Sequence, residues 1–399
     1  MNGTGISNSW KIALLAAGGF LIGTSELVVA GILDVIAADL QVSVAVAGQL
    51  VTVFALVIAV GAPLLVALTS RMERKKLLIY TLVVFILGNF IAFISSGIEL
   101  MMLSRVVLAM SMGVYLVVSL AVAAHLSAPG KQGRAIAAVI MGFSTSLVLG
   151  VPIGRLIASY TDWRYIFAGI GLLAIPTLIA IAKAVPVIAG QASVPFSRQL
   201  ALFKEIRITS GLLATLFWIL GYSVVFTYIS PYLIKVVQLE QSQVSLGIFV
   251  FGLFSIAGAR LGGYGTDKWG VPRTLLIGLF VHAAILLLLA FLAKSLVGAF
   301  LLLIVWALSA WSTVAVQQFY LITLAPRASD LMLSLNNSIL QLGMAFGAAI
   351  GGFTVNLFSE KHIGWVGAVS VLIAFFAAGF SLWLSRRERP GTTDISLAD

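Results

Sequence analysis

Apolar residues dominate this chain, and polar positions recur at intervals that divide it into stretches of about twenty residues or more. The first such run, from Ile12 to Leu33, carries a single charge, Glu26. An α-helix rises ~1.5 Å per residue, so about twenty apolar residues cross the ~30 Å hydrocarbon core of a bilayer. Twelve stretches meet that length, at about 12–36, 44–69, 77–98, 100–124, 134–158, 164–185, 208–234, 243–264, 273–293, 296–322, 331–357 and 363–385. The pattern predicts an all-α polytopic membrane protein with twelve transmembrane helices.

Composition agrees: 61% hydrophobic residues, 10% charged residues and a mean hydropathy of +1.12 over 399 residues lie far outside the range of soluble domains. The first run is too long for the apolar core of a signal peptide. It ends in "ILDVIAADL" rather than a small-residue cleavage site, so it is expected to stay as the first span. The absence of Cys excludes disulfides, thiolate metal sites and cysteine nucleophiles. No GxxxxGK[ST] loop, metal-ligand spacing, intramembrane Ser/His or paired-Asp constellation, or soluble catalytic domain is present. The expectation is a protein that is not an enzyme, needs no cofactor or metal and does not itself drive transport with ATP.

The net charge of +10 does not point to nucleic acid, because the basic residues lie in short loops between apolar runs. With both termini placed in the cytoplasm, the outer loops hold only Arg164, Lys235, Lys294 and Lys361. Arg105 and Arg155 fall within spans, and the rest of the 24 lysines and arginines lie inside. That asymmetry is the positive-inside pattern and sets the expected orientation.

The longest polar interval, Pro186 to Arg207, follows the sixth span. Landmarks on its two sides repeat at a constant offset of 197 positions: Ala128-Pro129 with Ala325-Pro326, Gly150 and Gly154 with Gly347 and Gly351, and the loop starting at Ser70 with that starting at Asp267. Two parallel six-helix pseudo-repeats follow, an organisation suited to rocking two bundles about a midplane site. The expected parts are an N-terminal bundle (1–185), a cytoplasmic linker (186–207), a C-terminal bundle (208–389) and a cytoplasmic tail (390–399).

These motifs carry a family resemblance. "GFSTSLVLGVPIG" on the fifth span, with Gly142, Gly150, Pro152 and Gly154, is similar to the glycine-proline motif of major facilitator antiporters. The loop motif of that superfamily appears in the second half as Gly263, Asp267, Lys268 and Gly270, for which the resemblance implies gating or packing roles. In the first half the motif's glycine, aspartate and second glycine are replaced by Val66, Ser70 and Glu73, although Arg71, Arg74 and Lys75 remain. Taken with "SELVVAGILDVIAADL", the chain most resembles the twelve-helix drug–proton antiporter branch, in particular purine-base and nucleoside efflux permeases and related sugar-efflux transporters. The resemblance implies the major facilitator fold and alternating access. For Arg105 it implies a role tuning a proton site or pairing with Glu26, the alternative being a side chain that snorkels to the outer interface. Arg155 is open to the same two readings.

Glu26 can be argued without the resemblance. A carboxylate near the bilayer centre costs on the order of 3 kcal/mol, so it is expected to face a cavity or a partner. Gly19, Gly23 and Ala30 share its helical face and keep that face slim. Withdrawal from water favours the neutral form of a carboxylic acid, which lets such a group exchange a proton near working pH. The alternative is a permanently protonated Glu holding one interhelical hydrogen bond. On the fifth span, glycines at i and i+4 permit close backbone approach, and Pro152 frees a carbonyl and bends the helix. His282 is expected to pack or to face lipid.

Candidate solute-binding residues are Tyr115, Tyr222, Tyr228, Trp311, Gln317, Gln318, Asn336, Asn337 and Gln341. Amides and rings suit a flat, neutral, hydrogen-bonding solute, since amides both donate and accept. The sequence therefore points to a monomeric, proton-coupled exporter of small organic solutes in a bacterial cytoplasmic membrane, with purine bases, nucleosides or drugs as candidates. Sugar or multidrug efflux, a uniporter or importer not driven by proton antiport, and a non-transporting receptor on the same fold are the competing readings.

Overall fold

The computed structural model describes residues 8–128, 132–190, 202–292, 295–325 and 329–387. Much of the linker (191–201), the tail and the loop residues Pro129, Gly130, Lys131, Lys294, Pro326 and Arg327 lie outside the described residues. Among the described residues there are twelve helices long and apolar enough to cross a membrane, and the secondary structure is helical throughout. The protein is a multi-pass membrane protein of two six-helix pseudo-repeats.

Each predicted run becomes a helix, with two interruptions. Span 1 is Asn8–Gly31 followed, after Ile32, by a seven-residue helix, Leu33–Asp39. Span 7 is Ile206–Phe226 followed, after Thr227 and Tyr228, by Ile229–Lys235. The two breaks occupy matching places in the two halves. Spans 2, 3, 4 and 6 are Val44–Thr69, Arg74–Phe93, Ile98–Leu126 and Arg164–Ala184. Spans 8 to 12 are Gln241–Trp269, Val271–Leu292, Leu296–Leu324, Ser329–Leu357 and Ile363–Arg387. Span 2 opens on Ser43, whose side chain accepts the Val46 N–H at 3.2 Å, and span 10 opens in the same way on Ser295. Span 8 ends at Gly270, which takes φ +79, a conformation that favours glycine.

Span 5 carries the distortion expected at Pro152. It runs Gln132–Thr145, then a π-helical turn, Ser146–Gly150, then Val151–Tyr160. Proline has no N–H to give to the carbonyl four residues back, and the preceding N–H of Val151 donates five back, to Ser146. The helix widens by one residue per turn at that point instead of breaking.

Within each half the spans pack on one another through small residues and serine bridges. Ser104 donates to the Gly88 carbonyl at 2.9 Å and Ser111 to the Thr81 carbonyl at 2.8 Å, tying span 4 to span 3. Ser370 and Ser381 do the same for spans 12 and 7, at 2.6 Å each. In hydrocarbon such bonds and close small-residue contacts supply much of the helix association that the hydrophobic effect supplies in water.

The halves meet where span 2 packs on span 11 and span 5 on span 8. Tyr228 seats its hydroxyl over Gly48 and Gly352 and its ring over Gly351, and Gly252 faces Leu147 and Val148. These contacts lie toward the end of the bundle away from the chain termini, called here the far end. The opposite stretch of span 5, Gln132–Thr145, packs on spans 1 and 4 of its own half.

Candidate functional site

A cavity of about 1080 Å³, its mouth included, lies between the halves on the termini side of those contacts. Spans 1, 2, 4 and 5 supply one wall, with Glu26, Leu27, Ile58, Met112, Leu116, Phe143 and Leu147. Spans 7, 10 and 11 supply the other, with Trp218, Tyr222, Trp311, Asn337, Gln341 and Met344. The first wall is apolar except for Glu26. The second carries the neutral hydrogen-bonding side chains. A solute held here meets rings and amides on one side and a single carboxyl on the other.

Glu26 is 7% exposed, and its Oε2 has no hydrogen-bond partner. The Gln341 amide approaches the carboxyl from the opposite half. Gly19 and Gly23 share its face as expected, and they are where span 5 comes in: Phe143 and Ser146 fill the space a Gly23 side chain would need. The neighbouring Ser25 donates to Asn89 on span 3 at 3.2 Å.

Arg105 is fully buried and does not snorkel. Its guanidinium donates to the backbone carbonyls of Ser25 (2.8 Å), Glu26 (3.2 Å) and Leu50 (3.4 Å) and lies 3.9 Å from the Phe54 ring centroid. It reaches the backbone of Glu26 rather than making a carboxylate ion pair. Carbonyl dipoles and a ring face are what a cation in a dry site needs in place of water. Arg105, Glu26 and Tyr222 also line a smaller pocket beside the main one.

Of the residues expected to meet solute, Tyr222, Trp311, Asn337 and Gln341 line the cavity. The others are placed differently. Tyr115 is buried against Gly18, its hydroxyl donating to the Leu15 carbonyl at 3.1 Å, and it joins span 4 to span 1. Tyr228 donates to the Ala348 carbonyl at 2.9 Å within the junction of spans 2, 7 and 11. Gln317 donates to the Gly211 carbonyl and to Thr215, at 2.8 and 2.9 Å, and so holds span 10 to span 7. Gln318, one residue on, is exposed, and Asn336 is buried outside the cavity lining. Each failure has one cause: in a helix that is apolar all round, sequence does not reveal which face turns inward.

The glycine motifs are placed unevenly. Gly142, Gly150 and Gly154 all face span 1, and Pro152 is buried beside the π-turn. In span 8 the packing glycine is Gly262, pressed on the backbone of Ser312; a Cβ on Gly263 would meet nothing within 4 Å. The packing expectation for Gly263 is corrected accordingly. Lys268, beside Asp267, donates to the Tyr264 hydroxyl at 2.8 Å. His282 is fully buried rather than lipid-facing, its Nε2 accepting from Trp306 Nε1 at 2.9 Å.

Arg155 is likewise fully buried, at the far end. It forms a bidentate pair with Asp34, one arm at 2.9 Å, donates to the Gly31 carbonyl at 3.0 Å and reaches Gln241 of the other half. Ser230 donates to Asp34 at 2.7 Å. Sequence reasoning missed Gln241, Ser230 and the cavity residues Trp218, Phe143, Met112 and Met344. A Trp four residues before Tyr222 on the same helical face was the available signal for Trp218.

Comparison with known proteins agrees with this architecture. The model of the Major Facilitator Superfamily matches residues 15–329. The chain is 45% identical over 373 residues to the MFS-type transporter YbcL of Bacillus subtilis (strain 168), covering 94% of this chain and 96% of that one. Among solved structures it resembles a D-xylose-proton symporter (TM-score 0.77, 17% identity, 94% of this chain and 97% of that one). It also resembles a bacterial homologue of the human lysosomal transporter Spinster in an inward-facing, unoccupied conformation (TM-score 0.79, 16% identity, 98% and 100%). Twelve spans in two pseudo-repeats around a shared cavity, with a family match over most of the chain, make this protein a transporter of the Major Facilitator Superfamily.

Proposed function

We propose that the protein is a proton-coupled antiporter that exports small organic solutes from a bacterial cell by alternating access, with both termini in the cytoplasm. The observation that carries this reading is Glu26, a carboxyl on the cavity wall with one unpartnered oxygen and a buried arginine against its backbone. A proton carrier has to be neutral in one half of the cycle and charged in the other, and a site withdrawn from water yet bordering a cavity permits both. Arg105 stabilises the charged form without neutralising it by direct contact. Residues 1–185 and 208–389 are the two rocking units, and Gly142, Gly150, Pro152 and Gly154 form the seam about which the first unit is packed. Tyr222, Trp311, Asn337 and Gln341 hold the solute.

The lining supports a flat solute with an apolar face and hydrogen-bonding groups along one edge, the class to which purine bases, nucleosides and many drugs belong. The lysines and arginines on the termini side support the cytoplasmic placement of both ends. With the far end closed, the conformation described is then the one that takes solute from the cytoplasm.

The test is flux in proteoliposomes with an imposed pH gradient, screened over labelled nucleobases, nucleosides, sugars and cationic dyes, wild type beside Glu26→Gln. The variant keeps volume and hydrogen bonding but imitates the protonated form. We expect gradient-driven accumulation to fall at least tenfold, with solute exchange surviving. Full accumulation by Glu26→Gln overturns the assignment, and flux of a solute without any pH dependence overturns proton coupling.

A further inference from the structure

The cluster at the far end divides unequally between the halves. Arg155 and Asp34 both belong to the first half, on spans 5 and 1, and satisfy each other's charge through two parallel hydrogen bonds. The second half contributes two neutral groups: Gln241, whose Oε1 accepts from Arg155 Nη2 at the start of span 8, and Ser230, whose hydroxyl donates to Asp34 Oδ1 at 2.7 Å just past the break in span 7. The guanidinium is fully buried and the Asp34 side chain is 14% exposed, so the pair sits at the edge of the junction, next to water.

Breaking a buried ion pair is costly because it strands a charge in a dry site. Separating the halves at this point strands none. Arg155 keeps Asp34 and the Gly31 carbonyl, and water takes over the two charge-assisted hydrogen bonds to Gln241 and Ser230, so that opening leaves neither charge unpaired. From this asymmetry we infer that Arg155–Asp34 is a charged hook that stays paired through the cycle, and that Gln241 and Ser230 are positioning residues forming a neutral catch that holds the far end shut. The inference rests on reading the chain as an alternating-access carrier and adds which bonds must break for the far end to open.

Because the native chain has no cysteine, a single reporter is available. Gln49→Cys stands on span 2 beside Gly352 of span 11, within the far-end junction. The rate of its modification by a membrane-impermeant maleimide, measured on purified protein without solute or proton gradient, reads how often that end opens. On this background Gln241→Leu is expected to raise the rate at least fivefold and Ser230→Ala at least twofold. Removing the hook with Asp34→Leu and Arg155→Leu together is expected to match the variant that carries both Gln241→Leu and Ser230→Ala, since both bonds of the catch are then lost. Adding Gln241→Leu to the variant without the hook should change the rate by less than twofold, since the catch then has nothing to hold; a merely structural glutamine would give multiplied effects. Rates within twofold of wild type for Gln241→Leu and Ser230→Ala, or multiplied effects with the hook removed, overturn the inference. Ser230→Ala deletes one oxygen and gives the reading on its own if a larger change fails to fold. Since the assay involves no transport, its failure is separate from failure of the proton-coupled flux above.

Discussion

The seam between spans 1 and 5 and its counterpart between spans 7 and 11 use glycines at matching positions and yet are built differently. In the second half the approach is backbone to backbone along the whole seam. A Cβ at Gly343 would lie 2.8 Å from the Leu216 carbonyl oxygen, one at Gly347 would strike the Leu220 carbonyl, and one at Gly351 would lie 2.9 Å from that of Val224, with the Tyr228 ring closer still at 2.6 Å. In the first half close backbone contact is confined to the termini end, where Gly142 meets that of Ala16 and Gly19 that of Val139 and Phe143; Gly150 and Gly154 meet the side chains of Thr24 and Val28. A side chain can change rotamer and a carbonyl cannot. One seam is therefore tight throughout, while the other is cushioned toward the far end, where the π-turn sits.

The largest effect should come from Gly347→Leu. A branched side chain against fixed backbone exceeds the ~1–3 kcal/mol typical of overpacking, and we expect loss of monodisperse protein on size exclusion after mild extraction. Gly150→Leu and Gly154→Leu should insert and purify but lose transport, because the cushion absorbs part of the clash at the cost of the seam's geometry. Normal flux in either would show that span 5 does not pack tightly there. Smaller substitutions sharpen the contrast: Gly347→Ala should lower thermal stability by roughly 1–3 kcal/mol, and Gly154→Ala by less. The reverse order in a thermal-unfolding series would break the comparison. Smallest of all is Gly263→Ala, which faces open space and should be neutral or stabilising by up to ~1 kcal/mol through helix propensity, whereas Gly262→Ala, one residue away, should destabilise.

That last pair marks how far the sequence could be read. Span number and type were legible because runs of such length and hydropathy have no other stable form in a bilayer. The duplication was legible in paired landmarks, and Pro152 announced the distortion of span 5. The faces were not legible. Gln317 ties two helices together while Gln318 points away, and Gly262 packs while Gly263 does not, because adjacent residues diverge by about 100° on a helix whose period carries little hydrophobic contrast. Glu26 and Arg105 were singled out because a charge in hydrocarbon is conspicuous, and the structure puts one on the cavity wall and buries the other beside it. Tyr115 and Tyr228 were misplaced because a tyrosine that caps a carbonyl across a helix junction looks, in sequence, like one that waits for a ligand. The breaks at Ile32 and at Thr227–Tyr228 did have local signals, Gly31 directly before the first and Pro231, which leaves the Thr227 carbonyl without its helical donor, just after the second, but the long apolar runs masked them.

The bonding of Arg105 has a mechanical consequence. From span 4 its guanidinium grips main-chain oxygens of spans 1 and 2, and main chain cannot swing aside as a side chain can. The arginine is in effect a rivet through three helices at one depth. Spans 1, 2 and 4 are thereby held as a single stiff member, and the irregular points nearest to it, the wide turn of span 5 and the break of span 7, lie outside the joint. The Glu26 carboxyl thus sits on the riveted group of helices, while the two irregular points of the bundle lie on its neighbours.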